Sequence, residues 1–177
     1  NDHRIHYVFT SVALSDPEVE VNEYTTAALD FEDNLVDKIP TTVWTKTGST
    51  SSVTSTNKIF GSQSFQMSSF GDSLTLPANH INSNNPYTID FYMLHNGYTR
   101  GSSRTDTNIS IFSKNTGGDK YIALSDNRTL QWTVPHVKNG SKIPPNEITH
   151  YTYTYDGAAS RLFINDKLEA IGGGSMD

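Results

Sequence analysis

Four acidic residues fall close together in the first quarter of the chain: Asp30, Glu32, Asp33 and Asp37. Carboxylate oxygens supplied by a loop are ligands that calcium prefers in proteins. The cluster therefore predicts a calcium site, which is the best metal candidate in the sequence and the only cofactor it suggests. A solvated acidic turn is the alternative, and it is the more common form of such a charge cluster.

A long polar segment, residues 95–108 (HNGYTRGSSRTDTN), separates two apolar stretches. Loops of more than about a dozen residues in compact domains are usually functional or mobile. An aromatic ring can stack on the face of a sugar, and charged groups can bond its hydroxyls. The predicted ligand-binding residues of this segment are His95, Tyr98, Arg100, Arg104 and Asp106. A disordered hairpin tip is the alternative.

The sequence shows no residue set typical of a catalytic site. Its six histidines form no close pair and no Ser-His-Asp arrangement, and the absence of cysteine excludes thiolate nucleophiles, thiolate metal sites and disulfides. The glycines at 172–174 close the sequence instead of opening a helix, so they do not form a phosphate-binding loop. We therefore predict no catalytic residues and no enzymatic activity.

Charge and length narrow the possible partners. A net charge of −6 repels phosphate backbones, so we expect no nucleic-acid partner. A chain of 177 residues is long enough for one domain with a core, and no stretch reaches the length of a membrane span. The sequence predicts one domain over 1–177 and no membrane insertion.

The last third of the chain carries the clearest pattern of secondary structure. Tyr151, Tyr153 and Tyr155 alternate with threonines, a period of two that places the aromatic rings on one face of a sheet. Asp156-Gly157 is expected to supply the positive backbone dihedrals of a hairpin turn, after which an apolar strand resumes. A third strand is expected after Asn165-Asp166.

Similar short strands recur along the whole chain, with turn residues between them and no convincing helix. This pattern predicts an all-β fold, a two-sheet antiparallel β-sandwich. The expected strands are 4–12, 28–32, 64–67, 73–76, 87–94, 109–113, 121–124, 130–134, 149–155 and 161–165.

Several blocks, in order, resemble the laminin-G-like jelly-roll branch of the concanavalin A-like lectin/glucanase superfamily: LDFEDNLVD, FGSQSFQM, NPYTIDFYML, NISIFSK and the final YTYTYDGAASRLFINDKLEA. The resemblance implies a jelly roll and raises the expectation of calcium near the first strand. Glucanases of this superfamily use a strand with several closely spaced carboxylates. The matching strand here offers Asp90 alone, so the resemblance implies a non-catalytic member.

The two ends of the chain depart from the family pattern. The closing strand expected after Ala170 is missing, and residues 4–12, followed by ALSDPE, look like that strand. The main body is then 27–171, with 1–22 as a closing strand that is either circularly permuted or donated between copies. An ordinary N-terminal hairpin before a complete domain is the alternative.

The resemblance points to a binding module. We expect a non-catalytic carbohydrate- or receptor-binding jelly roll of a phage virion or tail protein, or of a bacterial surface adhesin. Its place would be extracellular or on the virion surface, and its partners a glycan or host-surface receptor and other subunits of a viral or surface assembly. The alternative is a structural assembly module that joins subunits through sheet edges or strand donation, without a small ligand.

Overall fold

A computed structural model describes residues 23, 25, 27–31, 35, 37–56, 58–68, 72–76, 81, 85–95, 108–113, 120–125, 130–132 and 141–173. In the segments 108–113, 120–125 and 130–132 it describes the backbone alone. The predicted strand 4–12, and with it the hypothesis of a permuted or donated closing strand, lies outside the described residues. So does most of the predicted sugar-binding loop.

The described part of the chain is all-β, with antiparallel sheets and no helix, so the predicted fold class is confirmed. This architecture is consistent with a sandwich, while the jelly-roll order of strands stays a prediction. No helix long and apolar enough to cross a membrane is found among these residues. The chain divides into two compact units, 1–81 and 82–177.

Among the described residues of the first unit there are two short strand pairs. Strand β1 (Thr45–Thr47) pairs with β4 (Ser73–Thr75), and β2 (Ser52–Thr54) pairs with β3 (Ser64–Gln66). Gly48 follows β1 with a φ of 97° and lies against Asp72, so closely that a Cβ atom there would overlap the aspartate. Glycine is therefore required at this turn, both for its dihedral and for its lack of a side chain.

The predicted strand at 28–32 is wrong for its described residues. Ala28 donates its backbone N–H to both carboxylate oxygens of Asp37, at 3.0 and 3.1 Å, and its carbonyl accepts from the backbone of Lys38. Phe31 has a φ of 65°, which no regular strand adopts. The backbone groups that a strand would offer to a neighbour are used locally instead.

The described strands of the second unit form two sheets. The larger has the order β11-β10-β9-β5, from β5 (Tyr87–Leu94), β9 (Ile148–Tyr155), β10 (Ala159–Ile164) and β11 (Lys167–Gly173). The other is the meander β6 (Asn108–Ser113), β7 (Lys120–Ser125) and β8 (Leu130–Trp132). All pairings in both sheets are antiparallel.

The apolar core of this unit lies on one face of the larger sheet. Tyr151 and Tyr153 on β9 and Leu162 on β10 are fully buried, and Tyr153 pairs with Leu162 in the sheet register. Phe91 of β5 stacks on Tyr151 with ring centroids 5.1 Å apart. The predicted alternation of the tyrosines is therefore confirmed. Burial of each such side chain stabilises the fold by about 1.5–3 kcal/mol.

The two turns of this sheet differ from each other. In the β9–β10 loop, only Gly157 has a positive φ, and Asp156 instead accepts hydrogen bonds through Oδ1 from the backbones of Ala158 and Ala159. The expectation of two positive dihedrals there is thus wrong for Asp156. The β10–β11 turn does have two, at Asn165 (48°) and Asp166 (63°), which is the pattern of a tight two-residue hairpin turn.

Candidate functional site

The face of the larger sheet opposite the core carries a cluster of polar and aromatic side chains. The β5–β9 register pairs Asp90 with Thr152 and Tyr92 with His150. Because successive side chains point to opposite faces, these four residues lie on the face away from the buried Tyr151 and Tyr153. We call Asp90, Tyr92, His150, Thr152 and Asp166 the outer-face cluster.

The imidazole of His150 lies at the centre of the cluster. Its Nε2 is 2.9 and 3.0 Å from the two carboxylate oxygens of Asp90. Thr152 donates its hydroxyl to Asp90 Oδ2 at 2.7 Å. Tyr92 stacks on the imidazole with ring centroids 4.3 Å apart and planes 10° from parallel. The ring of His150 is thus held by a charge partner at its edge and by an aromatic ring on its face.

The β10–β11 turn completes the cluster from the other side of His150. The backbone N–H of His150 donates to Oδ1 of Asn165, and the Asn165 N–H donates to the His150 carbonyl. These bonds fix the turn beside β9. The Oδ1 atom of Asp166, in this turn, lies 3.3 Å from Nδ1 of His150. Both ring nitrogens of His150 therefore face a carboxylate.

Burial differs across the cluster. The side chains of His150 and Asp90 are only 10% and 17% exposed, whereas that of Asp166 is 88% exposed. Burial by itself would lower the pKa of His150, but the hydrogen bond and charge of Asp90, reinforced by Asp166, outweigh it and raise that pKa. Burial, with the nearby charges of Asp90 and Asp166, raises the pKa of Tyr92 to about 12. At neutral pH Tyr92 is therefore a neutral phenol.

The geometry of the cluster differs from that of the carboxyl pair of a glycoside hydrolase. In glycoside hydrolases two carboxyl groups face each other across the space taken by the scissile bond or the attacking water. Here the imidazole of His150 fills the space between Asp90 and Asp166. The two ring nitrogens point in divergent directions, so the two carboxylates cannot converge with this histidine on one metal ion. Within the described residues, no group of three or more His, Cys, Asp or Glu side chains is arranged so that it could hold a metal ion.

An apolar strip adjoins the cluster on the same face. Thr152 pairs with Phe163 of β10, and Phe163 pairs with Leu168 of β11. Leu168 is 45% exposed, and Ile171 farther along the same strand is 58% exposed. The row from Asp90 through Thr152 and Phe163 to Leu168 therefore runs across four strands, about 14 Å, from a polar end to an apolar end.

Only one of the predicted ligand-binding residues lies in the described part of the chain. His95 directly follows β5, the strand that carries Asp90 and Tyr92, and its carbonyl accepts a hydrogen bond from the backbone of Asn146 at 2.8 Å. The other predicted residues lie outside the described residues: Tyr98, Arg100, Arg104 and Asp106. The sugar-binding loop therefore stays a prediction.

The predicted calcium ligands are described in part. Asp37 is buried and accepts hydrogen bonds from the backbones of Ala28 and Ile39 and from the indole of Trp44, at 2.5–3.1 Å. Asp30 forms an ion pair with Lys38 at 2.8 Å. Glu32 and Asp33 lie outside the described residues, so the calcium site stays a prediction. The contacts of Asp37 give that carboxylate a structural role, tying three parts of the first unit together.

The outer-face cluster is not among the sites that the sequence predicts. Asp90 and His150 are sixty residues apart, and each looks like an ordinary polar strand residue on its own. The alternation of side chains along β5 and β9 places both residues on the face away from the tyrosines, and this alternation can be read from the sequence. The register that pairs Tyr92 with His150 cannot be read from the sequence.

Comparison with known proteins adds no relative. No family model, no curated protein and no solved structure matches this chain. The resemblance to laminin-G-like jelly rolls therefore stays a prediction.

Proposed function

We propose that this chain is a non-catalytic carbohydrate-binding module that acts at a virion or cell surface, and that the outer face of the larger sheet binds the glycan. The observation that carries the proposal is the outer-face cluster: a half-buried aromatic ring, a hydroxyl and an exposed carboxylate, Asp166, gathered on one sheet face. Sites for sugars combine such groups, because the ring contacts the sugar's C–H face while oxygens bond its hydroxyls.

The row that crosses the four strands supports a ligand longer than one sugar. Its polar end is Asp90 and Thr152, and its apolar end is Phe163 and Leu168. When one face of an antiparallel sheet faces solvent, the side chains on that face are normally polar. The half-exposed apolar side chains beside a polar cluster therefore favour an amphipathic ligand, which an oligosaccharide is.

Binding to a panel of neutral oligosaccharides and polysaccharides, measured by glycan array and then by calorimetry, tests the proposal. We expect Asp166→Ala to weaken binding about tenfold, the worth of one hydrogen bond to a charged group. Tyr92→Ala should also weaken binding, because it removes the aromatic ring that contacts the sugar. Thr88→Ala is the matched control, because Thr88 lies on the same strand and face, two residues from Asp90. Its affinity should equal that of the wild type.

Two outcomes contradict this proposal. If the wild type binds no glycan, the proposed function fails. If the wild type binds and the outer-face variants bind equally well, the outer face is not the site, and a Tyr98→Ala variant then tests whether the segment 95–108 binds instead. Release of reducing ends from the bound polysaccharide would contradict the non-catalytic part of the proposal.

A second candidate is a structural assembly module, favoured by one observation. Leu168 and Ile171 are exposed on β11, which is an edge strand of the larger sheet within the described strands. An edge with exposed apolar side chains can pair with another chain. Sedimentation of the wild type and of a Leu168→Thr/Ile171→Thr variant tests this candidate, which predicts oligomers that the double variant loses.

A further inference from the structure

We propose that Asp166 contacts the ligand and that the proton on His150 holds Asp166 in its binding position, so that affinity for the glycan falls when His150 loses this proton. His150 is then a positioning residue, and Asp166 is the residue that it positions. This inference rests on the proposed function, because it assigns Asp166 to the glycan.

The contacts of its two ring nitrogens point to the charge state of His150. Its Nε2 lies 2.9 Å from Asp90 Oδ2, and its Nδ1 lies 3.3 Å from Asp166 Oδ1. Carboxylate oxygens accept hydrogen bonds, and a neutral imidazole has only one N–H to donate. Only the doubly protonated imidazolium can donate to both carboxylates, and we assign that state to His150 on this ground. The raised pKa of His150 agrees with this assignment.

Loss of one proton leaves one of the two contacts without a hydrogen. The Asp90 contact is the shorter of the two, its carboxylate is only 17% exposed, and Thr152 anchors the same carboxylate. The Asp166 contact is longer, and its carboxylate is 88% exposed to water. A neutral His150 therefore keeps its N–H on Nε2 toward Asp90, and the bare Nδ1 releases Asp166.

Among the groups that face one another in the cluster, His150 is the one expected to change its protonation state near neutral pH. Strand β5 presents Asp90 and Tyr92, β9 presents Thr152, and the β10–β11 turn presents Asp166. Tyr92, with a pKa raised to about 12, stays neutral throughout this range. Histidine is the side chain whose ordinary pKa falls between about pH 5 and 8.

Release of Asp166 weakens binding for a physical reason. A carboxylate held by an ion pair is already oriented, whereas a free one must lose rotational freedom when a sugar hydroxyl binds. We therefore expect affinity to fall roughly two- to tenfold as pH rises through the pKa of His150, because immobilising one free side chain costs about that factor in affinity.

The first experiment needs no ligand. Proton NMR follows the ring of His150 from about pH 5 to about pH 9, with His150→Gln identifying its signals. We expect Asp166→Asn to lower the pKa of His150, because one of its carboxylate partners loses its charge. Lys167→Ala, a change at the neighbouring exposed residue, is the matched control and should affect that pKa less than Asp166→Asn does. A pKa that Asp166→Asn leaves unchanged would overturn the coupling.

The second experiment measures affinity for the neutral glycan found by array across the same pH range. The wild type should lose roughly two- to tenfold in affinity, while His150→Gln and Asp166→Asn should show flat profiles. A wild-type profile that is also flat would overturn the proton control while leaving glycan binding intact. If the wild type binds no glycan at any pH, the proposed function fails and the ligand role of Asp166 fails with it, whatever the NMR titration shows.

Discussion

The two faces of the larger sheet are built from the same strands, yet they are organised by different forces. On the core face, Tyr151, Tyr153 and Leu162 are fully buried and held by apolar and aromatic packing. On the outer face, His150, Asp90 and Thr152 are held by directional polar contacts of 2.7–3.0 Å. Packing tolerates many residue combinations of similar volume, whereas a polar cluster requires particular atoms at particular positions.

Under the proposed function, the core face contributes to stability alone. The outer face contributes to stability through the Asp90–His150 contact and also binds the ligand. Variants on the two faces should therefore produce different losses, which the following predictions compare.

Leu162→Ala should have the largest effect, because it opens a cavity in the core face. Leu162 is fully buried and pairs with Tyr153 across β9 and β10. Leucine-to-alanine changes in cores lower the free energy of unfolding by about 2–5 kcal/mol. Urea denaturation followed by tyrosine fluorescence measures the loss. Thr154→Ala, on the outer face of β9, should change the free energy of unfolding by no more than about 0.5 kcal/mol in the same measurement. Equal losses for the two variants would contradict the assignment of the faces.

Asp90→Asn should have the next largest effect, because it removes the charge that pairs with the mostly buried imidazole of His150. Hydrogen bonds to charged groups contribute about 1.5–3 kcal/mol, and a loss of that size is expected near pH 6. Urea denaturation measures it, with Thr88→Ser on the same strand and face as the control. A loss below about 0.5 kcal/mol would show that the cluster adds nothing to stability.

The free energy of unfolding should also depend on pH through His150. Folding raises the pKa of His150 against the opposing effect of burial, so the folded chain binds this proton more tightly than the unfolded chain does. The resulting stabilisation is fully present below the unfolded pKa of about 6.5 and is lost as pH rises through the higher folded pKa. The free energy of unfolding of the wild type should therefore decrease above about pH 6.5 relative to that of His150→Gln. A constant difference between the two proteins would contradict the raised pKa.

The two faces also differ in how well the sequence predicts them. The period of two in Tyr151, Tyr153 and Tyr155 identifies the core face from β9 alone, and the strand at β5 agrees with its predicted bounds, 87–94. The outer-face cluster depends on pairing between strands sixty residues apart, which no local pattern contains. The strand predicted at 28–32 fails for a related reason: the Asp37 side chain takes the backbone N–H of Ala28, a tertiary contact that strand propensity cannot anticipate.

Ile171→Thr should have the smallest effect on stability, and it tests the edge of the outer face. Ile171 is 58% exposed and pairs with Arg161 on the side away from the core, while its neighbour Ala170 packs against the core cluster. Threonine keeps the β-branched shape that suits a strand, so the free energy of unfolding should change by no more than about 0.5 kcal/mol.

Ala170→Thr, one residue away, forces extra atoms toward the core and should lower the free energy of unfolding by about 1–3 kcal/mol. Thermal melts of both variants at several protein concentrations make the comparison. If Ile171→Thr destabilises the protein as much as Ala170→Thr, or does so only at high concentration, then β11 is covered by another chain, and the assembly function gains over glycan binding.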